Sequence, residues 1–275
     1  MLLRLICSLR QHLRVAQSGI ARSRQPAGCE HRFYRMSVTS TWPRNRLLVA
    51  LPARVLKQVT PKLEYIECKR EQVLIDADSL LHHVYFPDSG VISIVAVYPN
   101  GSIIEMATIG REGSTAFQAV FGASVSSVRL YVQVPGTAAK MSRKDFQEAM
   151  QALPQFRHLV QAHVHAFLEQ VMVSAACNGA HSLKQRLARW LLMMRDRHDD
   201  DTLPVTHDLL AEMLGVQRPS ISHALSGLQR KGIIQSSRKR LTIGDRTRLI
   251  RESCECYVVV RNRIAHHLPK TFPEP

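Results

Sequence analysis

The sequence predicts an α+β chain: an antiparallel β-roll, then a long helix, then a winged helix-turn-helix. Three observations predict it. Between Tyr65 and Met141, short β-rich runs follow one another with Gly, Pro and Asn-Gly between them. From Pro154 to about Cys177 the apolar residues are spaced by threes and fours instead. From Val205 to Ile234 the chain reads VTHDLLAEMLGVQRPSISHALSGLQRKGII, in which Ala211, Gly215 and Ile221 sit at offsets of four and six. The small residue lets two helices cross closely, the glycine turns the chain and the isoleucine plugs between them. The division expected is a basic arm over 1–40, the roll over 45–150, the long helix over 151–179, the winged domain over 180–260 and a tail over 261–275.

The chain has 275 residues with 37 Lys plus Arg against 22 acids, a formal charge of +15. Such an excess favours polyanionic partners, nucleic acid or an anionic membrane surface. No apolar run reaches the ~18–20 residues of a spanning helix, so no membrane role is assigned. Six scattered cysteines (Cys7, Cys29, Cys68, Cys177, Cys254, Cys256) do not resemble a disulfide framework, and a reducing cytoplasm is expected. Residues 1–35 hold seven arginines and one acid, Glu30. That arm is read as a disordered basic tail or an extension ahead of Met36, in preference to an organelle-targeting peptide.

Leu47, Leu48, Leu51, Val55, Leu56 and Val59 suggest short helices, with Pro52 at a helix start. Strands are expected at Tyr65–Cys68, Val73–Ile75, Val84–Phe86, Val91–Val97, Ser102–Ile109, Val128–Val134 and Thr137–Met141, with Pro99-Asn100-Gly101 as a hairpin turn. Ser142 can cap a helix with Asp145 three residues on. Pro154 can open the long helix, and Cys177-Asn178-Gly179 supplies its stop. Phe156, Val160, Val164, Phe167 and Val171 form one apolar strip. Leu159, Ala162, Ala166 and Ala176 form another, which suggests a second subunit and hence a homodimer. Ser182–Arg197 is amphipathic, with Leu183, Leu187, Trp190, Leu191 and Met194 inside and Lys184, Arg186 and Arg189 outside.

In the helix-turn-helix, Thr206 caps the first helix and the second begins near Arg218-Pro219. Arg218, Ser220, Ser222 and His223 are its exposed N-terminal positions, all able to bond base edges or phosphates. Arg230 and Lys231 follow. Two β-runs, Gly232–Ile234 and Leu241–Ile243, joined by a tip containing Arg238, Lys239 and Arg240, form the wing. Double-stranded DNA is the partner this surface suits. A final helix is expected from Asp245 to Tyr257, with Cys254 and Cys256 on different faces as core residues.

Over roughly Asn45 to Tyr257 this order resembles the Crp/Fnr family of bacterial transcription regulators. The sharpest matches are Thr206–Ile234 and Met141-Ser142-Arg143-Lys144-Asp145-Phe146. The resemblance implies a cyclic-nucleotide-binding-like roll, a homodimer on a pseudo-palindromic operator, and a signal at the roll that repositions the reading helices. It also implies a contact with RNA polymerase if the chain is an activator. Arg218 matches the first reading arginine of the family's cyclic AMP receptor, but Pro219 replaces its glutamate and His223 its second arginine. By the same resemblance, Glu112 and Gly113 fall in the pocket turn, within Gly110-Arg111-Glu112-Gly113. Ser126 falls where the phosphate-neutralising arginine is expected, beside Ser127. Arg129 is displaced by three, which turns it to the other face of a strand. An anionic phosphate buried without a cation is costly, so cyclic AMP is argued against and the effector is left unknown, with no cofactor.

No metal site is assigned. Cys7 and Cys29 are too far apart for the family's iron–sulfur pattern, and Asn178-Gly179 is expected to break the helix between Cys177 and His181. His82-His83 reads as a partly exposed pair. A Gly-Lys-Ser phosphate loop, a His-Glu-x-x-His helix and a Gly-x-Ser-x-Gly elbow are all missing, so no catalytic residue is assigned and the chain is not read as an enzyme. The alternative is a basic module that binds nucleic acid or acidic surfaces without sequence-specific regulation.

Overall fold

The computed structural model describes residues 42–237 and 239–268; the basic arm, Arg238 and residues 269–275 lie outside the described residues. Helices α1 (Arg46–Val49) and α2 (Ala53–Val59) lead in. Asn45 caps α1, its Oδ1 accepting from Leu48 N at 3.1 Å. The roll follows as β1 (Leu63–Cys68), β2 (Val73–Ile75), β3 (His83–Pro87), β4 (Val91–Val97), β5 (Ile103–Ile109), β6 (Arg129–Val134) and β7 (Gly136–Ser142). These strands make two antiparallel sheets, ordered β1-β7-β3 and β2-β6-β4-β5. Asn100-Gly101 turns β4 into β5, with Gly101 at φ +81°.

Helix α3 (Arg143–Ala152) begins as expected, Ser142 Oγ accepting from Asp145 N at 3.0 Å. The long helix α4 (Pro154–Ala180) follows, then α5 (Leu183–Arg197). The winged unit comprises β8 (Thr202–Leu203), α6 (His207–Leu214), α7 (Arg218–Arg230), β9 (Ile234–Ser236) and β10 (Leu241–Ile243), with α8 (Arg246–Glu252) and α9 (Cys256–His267) after it. The three short strands pair in the order β8-β10-β9. No helix among the described residues is long and apolar enough to cross a membrane.

Four expectations need correction. Asn178-Gly179 does not stop α4, which continues to Ala180. A glycine within a helix costs only about 1 kcal/mol, and the break comes instead at His181, where Ser182 and Gln185 form a capping box that starts α5. The expected final helix is two, because Ser253 is extended (φ −81°, ψ 166°) between α8 and α9. Residues 261–267, read as tail, belong to α9. Val260, Ile264 and Leu268 share one buried cluster with Phe156, Val160 and Ala166 of α4, which is why this segment is helical.

The fourth correction concerns α5. Arg189 is not outside: it is buried, as is everything from Leu187 to Met194. The helix is covered on several sides at once. Val91 and Val95 of β4 and Tyr131 and Val134 of β6 form one buried cluster with Leu187, Trp190, Leu191 and Met194, and the helix-turn-helix residues Leu210, Met213 and Leu225 complete it. Ile92 and Ile94 of β4 turn the other way, into the roll with Ile109 and Leu130. A strand buried on both faces needs a continuous apolar run, and Val91–Val95 supplies one interrupted only by Ser93.

Ser93 has a specific partner. Its hydroxyl donates to Glu105 Oε2 at 2.8 Å, Gln133 Nε2 donates to the same oxygen at 3.2 Å, and Trp190 Nε1 donates to Oε1 at 2.8 Å. Burial pushes the Glu105 carboxyl from its ordinary 4.5 up to about 7, despite these donors and the charge of Arg197. The folded state therefore holds an extra proton between those values. The associated stability is full below about pH 4.5 and is lost as pH rises through about 7. Glu105→Gln removes the titration, and Ser93 Oγ and the unpartnered Gln133 Oε1 can accept from the new amide. Denaturant melts across pH 5–8 should show the variant gaining on the parent by on the order of 2 kcal/mol as pH rises; a pH-independent difference would contradict the assignment.

Candidate functional site

Helix α6 is capped by Thr206, whose Oγ1 accepts from Leu209 N at 3.1 Å, and it ends at Gly215 with φ +63°. That left-handed turn swings α7 across α6, with Ile221 fully buried between them. Arg218, Ser220, His223, Arg230, Lys231, Lys239 and Arg240 are all exposed. Lys184, Ser220, His223, Gly227, Arg230 and Lys231 line an open groove of about 990 Å³ along α7. The wing tip is held by Ser237 N donating to Arg240 O at 2.8 Å. Arg238 lies outside the described residues.

Ser222 departs from the expectation of an exposed position. It is half-buried, and its hydroxyl lies 3.0 Å from His207 Nδ1, while His207 Nε2 lies 3.2 Å from Ser236 Oγ of β9. His207 thus ties α7 to the wing, a role that its place one residue after the Thr206 cap did not signal. Two charged neighbours were also missed. Arg218 Nε pairs with Asp208 Oδ1 at 3.0 Å, and both side chains are mostly exposed, so the pair contributes at most about 1 kcal/mol and can open. Glu252 pairs with both Lys184 and Lys231, and these hydrogen bonds hold its carboxyl below its ordinary range.

The effector-pocket residues are placed differently. Glu112 is buried, and its Oε1 accepts from Arg197 Nε at 2.8 Å and from Gly110 N at 3.2 Å. Arg197 also donates to Met193 O at 3.0 Å and to Gln170 Oε1 at 3.1 Å. Burial alone would raise the Glu112 carboxyl, but the Arg197 charge and backbone N–H groups outweigh it and leave the value lowered. The turn is closed over these side chains: a Cβ at Gly110 would lie 2.6 Å from Arg197 Cγ, and one at Gly113 would lie 2.5 Å from His163 Cε1. His163 Nε2 itself sits 3.0 Å from Ser114 N, and burial lowers its pKa. Beside Glu112 lies a cavity of about 10 Å³, lined by Thr108, Glu112, His163, Phe167, Gln170 and Ile264, with room for about one water at most.

Ser126 and Ser127 are not brought to Glu112 by any hydrogen bond among the described residues. Ser126 Oγ donates to Val128 O at 2.7 Å and accepts from Gln118 Nε2, while Ser127 N donates to Gln118 Oε1 at 3.2 Å. Arg129 forms a two-point contact with Asp76, at 2.7 and 3.2 Å. The guanidinium at the pocket turn therefore comes from α5, 85 residues along the chain, where no local sequence pattern marks it.

Residues 65–152 match the model of the cyclic nucleotide-binding domain, and residues 185–252 match that of the Crp-like helix-turn-helix domain. No curated protein sequence matches the chain. Among solved structures, FixK2 from Bradyrhizobium japonicum is similar with a TM-score of 0.61 at 16% identity, over 70% of this chain and 98% of its own. The c-di-GMP responsive global regulator CLP of Xanthomonas campestris gives 0.58 at 16% identity, over 70% and 99%. A CRP-family transcriptional regulator from Thermus thermophilus gives 0.57 at 19%, over 69% and 96%. At these identities the likeness concerns the fold. With both domains matched in that order on one chain, together over more than half its length, the protein belongs to the Crp/Fnr family of transcription regulators.

Proposed function

We propose that this chain acts as a homodimer that reads a two-fold-symmetric DNA operator through α7 and answers to a signal other than cyclic AMP. The observation that carries the DNA role is the exposed, basic face shared by α7, the wing and Lys184. Phosphates would lie against Lys184, Arg230, Lys231, Lys239 and Arg240, and Arg218, once released from Asp208, is suited to bidentate contact with guanine. Ser220 and His223 are the further base-edge candidates. Such a protein works where the DNA is, in the cytoplasm, and an activator would also meet RNA polymerase.

Dimerisation is supported by α4. Of the strip expected to face a partner, Leu159, Ala162 and Ala166 pack inside the subunit, and Ala176 alone is exposed. A different line of residues is exposed: Gln161, His165, Leu168, Met172, Ala175 and Gly179. Their spacing alternates fours and threes, as in a coiled-coil seam, and Leu168 and Met172 are large apolar side chains 44% and 60% exposed.

Against cyclic AMP stands the closed pocket. Glu112 has its counter-charge within the chain, and its second oxygen, Oε2, is the atom left without a partner. A ligand that drew Glu112 away from Arg197 would release the end of α5 and with it the helix-turn-helix. The signal is thereby linked to the DNA-reading helix through one side chain.

Four outcomes are expected. Selection from a random duplex pool should recover a two-fold-symmetric motif, and Arg218→Ala should relax one base position in each half by about 1–3 kcal/mol; salt-sensitive binding without a motif would favour the unspecific basic module instead. Leu168→Glu with Met172→Glu should sediment as a monomer and bind the selected operator at least about tenfold more weakly. Arg197→Met should cost about 3–5 kcal/mol, because it strands a buried carboxylate, and adding Glu112→Met should restore most of it. Cyclic AMP at about 1 mM should leave the parent melting temperature unchanged, whereas a clear rise would overturn the closed-pocket account.

A further inference from the structure

At the joint between α4 and α5, four side chains of metal-binding type converge from two distant parts of the chain. Cys177 stands on the last turn of α4 and His181 ends that helix, while Cys254 lies in the α8–α9 joint and Cys256 opens α9. One ligand atom from each lies within 4.8 Å of the others. Cys177 Sγ is 3.5 Å from Cys254 Sγ, and Cys256 Sγ is 3.7 Å from His181 Nδ1. The sequence pattern sets Cys254 and Cys256 on opposite faces of one helix and breaks α4 before His181; the fold has neither of these separations.

We propose that Cys177, His181, Cys254 and Cys256 bind one Zn²⁺ ion in a closed tetrahedral site. Zn–S bonds of about 2.3 Å and Zn–N bonds of about 2.0–2.1 Å, opened to tetrahedral angles, hold neighbouring ligand atoms about 3.5–3.8 Å apart. The closest pairs in the cluster already have that spacing. It is far from the ~2.05 Å of a disulfide. The imidazole is oriented for the purpose: its Nε2 lies 3.1 Å from Glu255 Oε1, which leaves Nδ1 toward the sulfurs, the carboxylate–histidine arrangement that fixes a ligating ring. Burial completes the picture. Cys177, Cys254 and Cys256 are 1%, 2% and 8% exposed, as in a structural site with no open coordination position. Thiolate donors with one imidazole select zinc over the oxygen-seeking cations.

The consequence is mechanical. His181 is the residue at which α4 ends, and Ser182 caps α5, so these two residues form the hinge between the roll's long helix and the DNA-reading unit. A metal bridging Cys177 and His181 to residues more than seventy positions later would pin that hinge to the segment leaving the winged unit. It would also explain why two cysteines stand close together late in the chain, at the start of a helix that packs back on α4.

The test uses the full chain purified under reducing conditions. Elemental analysis should find about one zinc per chain, and Co²⁺ exchanged into the protein should give the intense visible bands of a tetrahedral thiolate-rich site. Cys254→Ser and Cys256→Ser should each lose the metal. Because either substitution can also unfold the chain, Glu255→Gln provides the second arm: it keeps all four ligands and should weaken zinc retention against a chelator about tenfold or more, with unchanged circular dichroism. The proposal fails if the reduced protein retains no stoichiometric zinc and shows no tetrahedral cobalt spectrum. It fails equally if Cys177 and Cys254 are found joined as a disulfide with no metal present.

Discussion

Arg197 reaches from the last turn of α5 into the pocket turn of the roll, where its guanidinium meets Glu112, Gln170 and a main-chain carbonyl with almost no solvent around it. Neither partner could be buried alone, since an isolated charge in that setting costs far more than the pair. The consequence spreads in both directions. On the roll side the turn at Gly110 and Gly113 must stay free of Cβ atoms to let Arg197 and His163 approach. On the helix side the end of α5 is held, and everything after it in the chain takes its starting position from that point.

Around this pair the roll and the winged unit share a core. Strand β4 presents Ile92 and Ile94 to one side and Val91 and Val95 to the other, and the second face would be an apolar patch on the roll surface were α5 and α6 not packed against it. Glu105 and Trp190 form the polar seam of the same contact. The helix-turn-helix rests on the roll through its first helix and its turn, where Gly215 lies against Ile104. Helix α7 is thereby left with its basic, polar side outward. A surface built to meet phosphates needs that arrangement, because cations there stay hydrated until DNA replaces the water and counterions.

The two ends of α5 are thus handled by different chemistry. Its C-terminus is held by a buried ion pair at the roll, and its N-terminus adjoins a cluster of thiols and imidazole at the hinge. Both contacts join residues more than seventy positions apart. Both also flank α5, the helix that joins α4 to the helix-turn-helix, and so fix how those two elements are connected.

Order and type of the elements could be read in the residues, because they depend on local rules. Alternation marked the strands, the Ser142 and Thr206 caps marked helix starts, and Ala211, Gly215 and Ile221 marked the helix-turn-helix. Helix ends near residue 180 were misplaced, since a glycine's intrinsic penalty of about 1 kcal/mol is easily outweighed by packing and by the next helix's cap. The polarity of α5 was misjudged for a similar reason: Arg189 looks like a solvent-facing residue until its partner, Ser174, is placed beside it, and nothing near Arg197 in the chain signals its pairing with Glu112. Periodicity and capping act over a few residues and so are written in the chain. Which charge neutralises Glu112, which face of α4 stays bare and which cysteines meet depend on how distant segments pack, and only the assembled fold brings those groups within bonding distance.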